Sequence, residues 1–426
     1  MSTLRKFTDT VQKIVSNPEI LKKLYFSLMI LVAFRALAAV PVVGIPADSL
    51  KNLFGNTGFG DLISTVSGNV LQTASLVAIG LSPYINASII LQLLTSVIPK
   101  LEEIKKEGTA GQRKISMWTR ILTVPLALMQ ALVIYQLLIT QGLMTKLESL
   151  EFVAMALSLT AGGIIMMWFS ELISESGYGR GSGFIISLGI LSTLPGSFSQ
   201  NLKTKDPVEI AVLVGIYLVL IAVTVVVVEA ERKVKLVYSR RVRGGGAMHE
   251  SFLPVKIAQF GVMPVIFAVS LISFPQMVAQ FLVGRPSLNP KVLSVAQKTV
   301  DLLSDPTFTN IATVVTVILF SFFYVTIVFN PKEIAENLQK QGAFIQGIRP
   351  GKQTEKYLRG VSMRLTAVGA LYLAILAVLP NILQQIGILS YVFISGTGLL
   401  ILVGVLLDVK RQVLSEIVTR SYDRYL

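Results

Sequence analysis

A chain of 426 residues that is 53% hydrophobic, only 15% charged and has a mean hydropathy of +0.68 is too apolar for a soluble domain, so its solvent is the bilayer. Cysteine is absent, which excludes disulfides and thiolate-held metals, and the single histidine, His249, leaves little for an imidazole site. The net charge of +14 has to sit in the loops, where it reports on orientation and partners.

The first 23 residues (MSTLRKFTDTVQKIVSNPEILKK) are polar and charged, and no apolar run precedes a small-residue cleavage site, which argues against a cleaved signal peptide. Apolar segments then follow at 24–43, 71–98, 116–140, 151–170, 183–197, 207–229, 256–283, 308–330, 361–380 and 384–408. Most reach the ~20 residues that a helix needs to cross ~30 Å of hydrocarbon; 183–197 falls short and alone reads as re-entrant.

Charge decides that segment. With ten spans and a cytoplasmic N-terminus, the segments on the cytoplasmic side carry 5, 6, 1, 7, 7 and 4 Lys and Arg in chain order. The opposite side holds seven, and Arg35 lies inside the first span. Removing the short span would place the basic 230–256 loop outside while 98–120 stays inside, against the positive-inside tendency. The expectation is therefore an all-α membrane protein of ten transmembrane helices with both termini cytoplasmic.

Between the first two spans, Phe59–Leu71 is half apolar, Gly-rich and carries Asp61. It reads either as an amphipathic helix on the bilayer surface or as a short re-entrant helix inside a funnel, since irregular backbone at membrane depth needs protein or a water-filled cavity around it. The second span contains GLSPYINA from Gly80 and the seventh GVMPVIFA from Gly261, which share G-x-x-P-x-I-x-A. An echo between second helices points to two related halves, 1–200 and 201–426. Pro83 and Pro264 each remove a backbone donor, which on this reading weakens the helix at a point of flexure. Loops 230–256 and 330–360 are long and basic; they either hold the topology against anionic lipid or dock a large polyanion or a soluble partner.

Several chemistries find no residues. The spans hold no central Asp or Glu for ion coupling, because Glu171, Glu209 and Asp408 lie at their ends, although a secondary transporter with inverted repeats remains the alternative. No Ser/Lys, Ser/His or paired-Asp constellation emerges, no metal cluster or cofactor motif is present, and no G-x-x-x-x-G-K-[ST] run exists to hold a nucleotide. An enzyme is not expected.

From Ala74–Leu94 (ASLVAIGLSPYINASIILQLL) through EEIKKEGTAGQRKIS, GYGRGSGFIISLGI and FGVMPVIFAVSLISFP to Val328–Tyr357 (VFNPKEIAENLQKQGAFIQGIRPGKQTEKY), the chain resembles the SecY family, pore subunits of the bacterial protein-conducting channel, along its whole length. The resemblance implies a clam-like pair of five-span halves with a re-entrant plug helix. A pore ring of aliphatic side chains would fall on Leu81, Ile85, Ile190, Ile266, Leu271 and Ile401. The plug at about 59–71 would include Gly60, Asp61, Leu62, Ile63, Ser64, Thr65, Val66 and Ser67. The lateral gate would involve Pro83 and Pro264, with polarity resting on Asn86 and Gln130. Arg240, Arg241, Arg243, Arg349 of the IRPG run and Lys352 would dock the motor or ribosome. Arg35 either snorkels or packs between helices, or touches the gate or plug.

The implied partners are SecE and SecG, the SecA motor ATPase, the ribosome through its RNA, signal sequences and nascent chains, and membrane lipid; the implied location is the bacterial inner (cytoplasmic) membrane. The chain itself would be a passive conduit. A signal h-region of about 10 apolar residues gains roughly 3 to 6 kcal/mol on entering lipid, enough to bias a two-state gate several hundredfold. Two departures stand out: GRGSG before span 5 where the family commonly has GNG, and Ala258 beside Gln259 where a gate Asn is expected.

Overall fold

The computed structural model describes residues 17–42, 74–140, 142, 144–204, 207–238, 251–257, 261–283, 289–387 and 394–423. Helices α1 (Pro18–Ala38), α2 (Ser82–Val97), α3 (Pro99–Lys106), α4 (Thr109–Thr140), α5 (Ser149–Ser176), α6 (Gly181–Thr204) and α7 (Pro207–Glu229) come first. Strands β1 (Glu231–Tyr238) and β2 (Ser251–Lys256) follow, then α8 (Met263–Val283), α9 (Pro290–Ser304), α10 (Pro306–Val328) and α11 (Pro331–Lys340). The series closes with β3 (Ala343–Ile345), α12 (Lys352–Gln385) and α13 (Gly396–Asp423).

Each of the ten apolar segments contains one of these helices. Six of them, α4, α5, α7, α8, α10 and α12, are long and apolar enough to cross a bilayer on their own, and α2 with α3, bent by 102°, passes as a seventh. In the others, charge or length intervenes. Lys22, Lys23 and Arg35 interrupt α1, Asp408, Lys410 and Arg411 interrupt α13, and the apolar stretch of α6 is only Gly181–Ser192.

The second segment differs from the continuous span expected over 71–98. Residues 74–81 form successive turns, with Ala78 N–H donating to Ser75 O and Gly80 N–H to Val77 O, and the helix starts only at Ser82. This turn segment is buried, with Val77, Ala78 and Ile79 at 0% exposure. Its backbone groups find partners: Val42 N–H donates to Ala74 O and Leu76 N–H to Val40 O, joining it to the chain after α1. Gly162 of α5 permits the contact from the other side, because a Cβ there would strike the carbonyl oxygen of Leu76.

The described residues fall into two compact units, one from 1–204, 269–310 and 393–426, the other from 205–268 and 311–392. In the first, Ala78, Ile79, Ala131, Ile134, Leu138, Met155 and Leu159 form a core between the turn segment, α4 and α5. One edge of this unit is fastened by charge. Lys23 of α1 pairs with Glu416 of α13 at 2.8 Å, Tyr178 donates its hydroxyl to the same carboxylate at 2.7 Å, and Gly179 N–H donates to Gln412 Oε1 at 2.7 Å. Ile20, Tyr178 and Val413 pack beneath.

The second unit carries a three-stranded sheet in the order β2-β1-β3, both pairs antiparallel, with Val234 opposite Leu253 and Val237 opposite Phe344. The basic loop 230–256 is thus in part a hairpin. Lys233, Val234, Lys235 and Leu236 alternate exposed and buried, so one sheet face stays charged while Val234 and Leu236 join Val255, Leu338, Ala343, Ile345, Leu358 and Val361 in a small core.

Candidate pore and gate

The echoed motif proves to be a helix start, not a mid-helix flexure. Gly80 has φ 62° and Gly261 has φ 59°, the left-handed region that only glycine enters cheaply. Pro83 lies in the first turn of α2, and Pro264 is the second residue of α8. At those positions the missing N–H is one that no helix residue would have accepted, so neither proline breaks a hydrogen bond. The expectation that they weaken a continuous helix is corrected: both stand at a helix start, and the chain before α2 runs in turns through Gly80. Both prolines are buried. Proline does occur inside α4 at Pro125, α6 at Pro195, α8 at Pro275 and α12 at Pro380.

Asn86 in the first turns of α2 and Gln130 in α4 are brought together. They are 8% and 2% exposed and share a narrow cleft with Ser82, Ser270, Ser273, Phe274 and Met277. The cleft has about 10 Å³ of free volume, on the order of one water molecule. Its polar groups are only partly matched: among the described residues, Gln130 Oε1, Ser270 Oγ and Ser273 Oγ are buried without a hydrogen-bond partner. Further along α8, Gln276 at both side-chain polar atoms and Gln280 at Oε1 share that condition. An unpaired buried polar group costs about 1–3 kcal/mol, so this seam between helices is held below its best packing energy.

Ser270, Ser273, Gln276 and Gln280 were not anticipated. The signal was available, since polar residues at steps of three and four inside an apolar span mark one helix face. Ala258 and Gln259, which stand where a gate Asn is expected, lie outside the described residues, as do the plug positions 60–67 and Arg240, Arg241 and Arg243.

Of the aliphatic ring positions, Leu81, Ile85, Ile190, Ile266 and Ile401 are between 1% and 5% exposed, whereas Leu271 is 43% exposed. Leu81 and Ile85 stack one turn apart, with Ile85 N–H donating to Leu81 O. Ile190 of α6 lies against Gly398 of α13, one turn before Ile401; a Cβ on that glycine would sit 3.4 Å from Ile190 Cδ1.

The loop 330–360, where docking is expected, is described in full. Asn330 caps α11 by accepting Glu333 N–H, and Gly342, Gly347 and Gly351, all at positive φ, turn the chain through β3 into α12. Thr354 donates to the carbonyl of Arg349, holding the tip, while the side chains of Arg349 and Lys352 are exposed and form no ion pair among the described residues.

Comparison with known proteins then decides the family. The SecY family model matches residues 75–410. The chain belongs to the SecY family. It is 35% identical to the protein translocase subunit SecY of Streptomyces galbus, over 96% of this chain and 98% of that one. The SecY of Mycobacterium bovis is 37% identical over 95% and 96%, and that of Lactococcus lactis subsp. lactis 35% identical over 99% and 98%. Among solved structures, a protein-conducting channel aligns with TM-score 0.65 at 20% identity over 92% of both chains. The Sec61 of a canine ribosome-channel complex aligns with TM-score 0.62 at 19% identity, again over 92% of both. At these identities the structural likeness establishes the channel fold.

Proposed function

We propose that the chain is the central pore subunit of a protein translocase, conducting unfolded polypeptides across the membrane and releasing transmembrane segments sideways into lipid. What carries the reading is kinship with translocase subunits from one end of the chain to the other, on a fold shared with protein-conducting channels. The transporter alternative finds no support among these relatives.

In this reading the two halves, 1–200 and 201–426, enclose an aliphatic collar of Leu81, Ile85, Ile190, Ile266, Leu271 and Ile401. Such a collar excludes hydrated ions because stripping their water is expensive, while branched side chains close around an extended peptide. The segment 59–71 plugs its outer side. The polar seam of Asn86, Gln130, Ser270 and Ser273 marks the lateral gate: its unpaired groups lower the cost of separating α2 and α4 from α8. Arg349 and Lys352, with Arg240, Arg241 and Arg243, dock the SecA motor or the ribosome; SecE and SecG complete the complex. The chain lies in the bacterial inner membrane with both termini in the cytoplasm.

The test uses the absence of native cysteine. One cysteine is placed by Ser64→Cys and another in an exported substrate stalled midway. A disulfide that forms only during translocation supports a polypeptide conduit; none at any substrate position refutes it.

A further inference from the structure

Beyond the pore, α9 folds back over the last turns of α8 and leaves a cleft of about 590 Å³ between them. Phe274, Pro275, Val278, Ala279 and Leu282 form one wall, and Val292, Val295, Ala296 and Thr299 the other, with Lys291 at the edge. The size is that of a site for a drug-sized ligand, ~300–1,000 Å³. Its lining is almost wholly hydrocarbon, since Thr299 already donates its hydroxyl to Val295 O. One wall belongs to a membrane-crossing helix, so the neighbouring solvent is lipid.

Charge selects among lipids. Lys291 and Lys298 stand seven residues apart on α9, and two turns of helix return a side chain to nearly the same face. Both are exposed, and neither ammonium has an ion-pair partner among the described residues. The acidic neighbour Asp301 makes no ion pair with Lys298. Lys291 therefore brings a cation with no ion-pair partner among the described residues to the edge of the apolar cleft, and Lys298 follows it two turns on along α9.

We propose that this cleft binds one anionic phospholipid, an acyl chain lying between α8 and α9 and the headgroup phosphate paired with Lys291 and Lys298. Phe274 also walls the polar cleft of Asn86 and Gln130, so the lipid chain rests one side chain away from the proposed gate. The inference needs the chain to be in a bilayer and does not depend on what the channel conducts.

Native mass spectrometry of the full chain, purified with its partner subunits, tests it with phosphatidylglycerol and phosphatidylcholine of identical acyl chains. At roughly fivefold per near-surface basic residue, the lysine pair gives roughly 30-fold preference for phosphatidylglycerol. The variant Lys291→Gln/Lys298→Gln is expected to retain the two lipids equally. Val295→Trp, at a position 64% exposed and so not part of the core, fills the cleft and is expected to retain one lipid fewer. Equal retention of both lipids by the unaltered protein, occupancy by detergent alone, or an unchanged lipid count in Val295→Trp each overturns the proposal.

Discussion

Replacing Asn86 and Gln130 together with leucine should make the channel harder to open. In the structure both side chains lie in a cleft with about one water's worth of space, and Gln130 Oε1, Ser270 Oγ and Ser273 Oγ have no partner among the described residues. Leucine at position 130 removes one unpaired acceptor, worth about 1–3 kcal/mol, and substitutes a side chain of similar volume, so little strain is added. Leucine at 86 turns a second polar wall apolar. Taking about 2 kcal/mol for the pair, the closed arrangement gains roughly 30-fold in population. A signal sequence gains roughly 0.3–0.6 kcal/mol per apolar residue on partitioning, so about four further leucines should be needed to restore opening. The assay is export of a reporter behind a series of signals with stepwise increasing leucine content, in membranes carrying the unaltered or doubly substituted channel. Half-maximal export should move to more hydrophobic signals by that amount. Identical curves, or a shift toward less hydrophobic signals, would refute the assignment of this cleft to the gate.

Three other outcomes follow from named contacts. Burial by itself would raise the Glu416 pKa, but hydrogen bonds from Lys23 and Tyr178 and the Lys23 charge hold it below the usual carboxylate range. With the folded pKa depressed, the fastening of α1 to α13 is fully present above the unfolded value of ~4.3 and is lost as pH falls through the lower folded value. Glu416→Gln should cost about 1–2 kcal/mol at neutral pH, a modest figure because the Lys23 side chain is 43% exposed, and the gap in thermal unfolding from the unaltered protein should close toward pH 3. Gly162→Val drives a side chain into the carbonyl of Leu76, and a loss of about 1–3 kcal/mol in detergent-solubilised unfolding is expected. Arg349→Glu should leave unfolding within about 0.5 kcal/mol of the original, because the side chain is exposed and forms no ion pair among the described residues, yet weaken binding of the motor or ribosome several-fold in a co-sedimentation assay.

Hydropathy located the spans well because lipid leaves a long helix few alternatives, and each of the ten apolar segments holds a helix. It erred where backbone conformation is decided by a single glycine. The run 71–98 reads as one mostly apolar segment, yet Gly80 takes φ 62° and the helix begins only at Ser82, and hydropathy does not register φ. The same blindness gave Pro83 and Pro264 a helix-breaking effect, which depends on position within a helix and is absent at its first turn. In the loop 230–256 the alternation of Lys233, Val234, Lys235 and Leu236 is a legible strand signal that lies within a run dense in basic residues. Asn86 and Gln130 were legible as polar residues in apolar spans. The meeting of Lys23, Tyr178 and Glu416 was not, because they lie hundreds of residues apart and only the packing of α1 against α13 joins them.

The central claim is that six aliphatic side chains form one collar around a moving polypeptide. Single cysteines replacing Leu81, Ile85, Ile190, Ile266, Leu271 and Ile401 in turn, each paired with a substrate stalled across the membrane and carrying one cysteine, measure this most directly. All six should crosslink to a narrow window of substrate positions at one depth. Crosslinks at widely separated depths, or positions that react only with a lipid-soluble maleimide and never with the substrate, would contradict it.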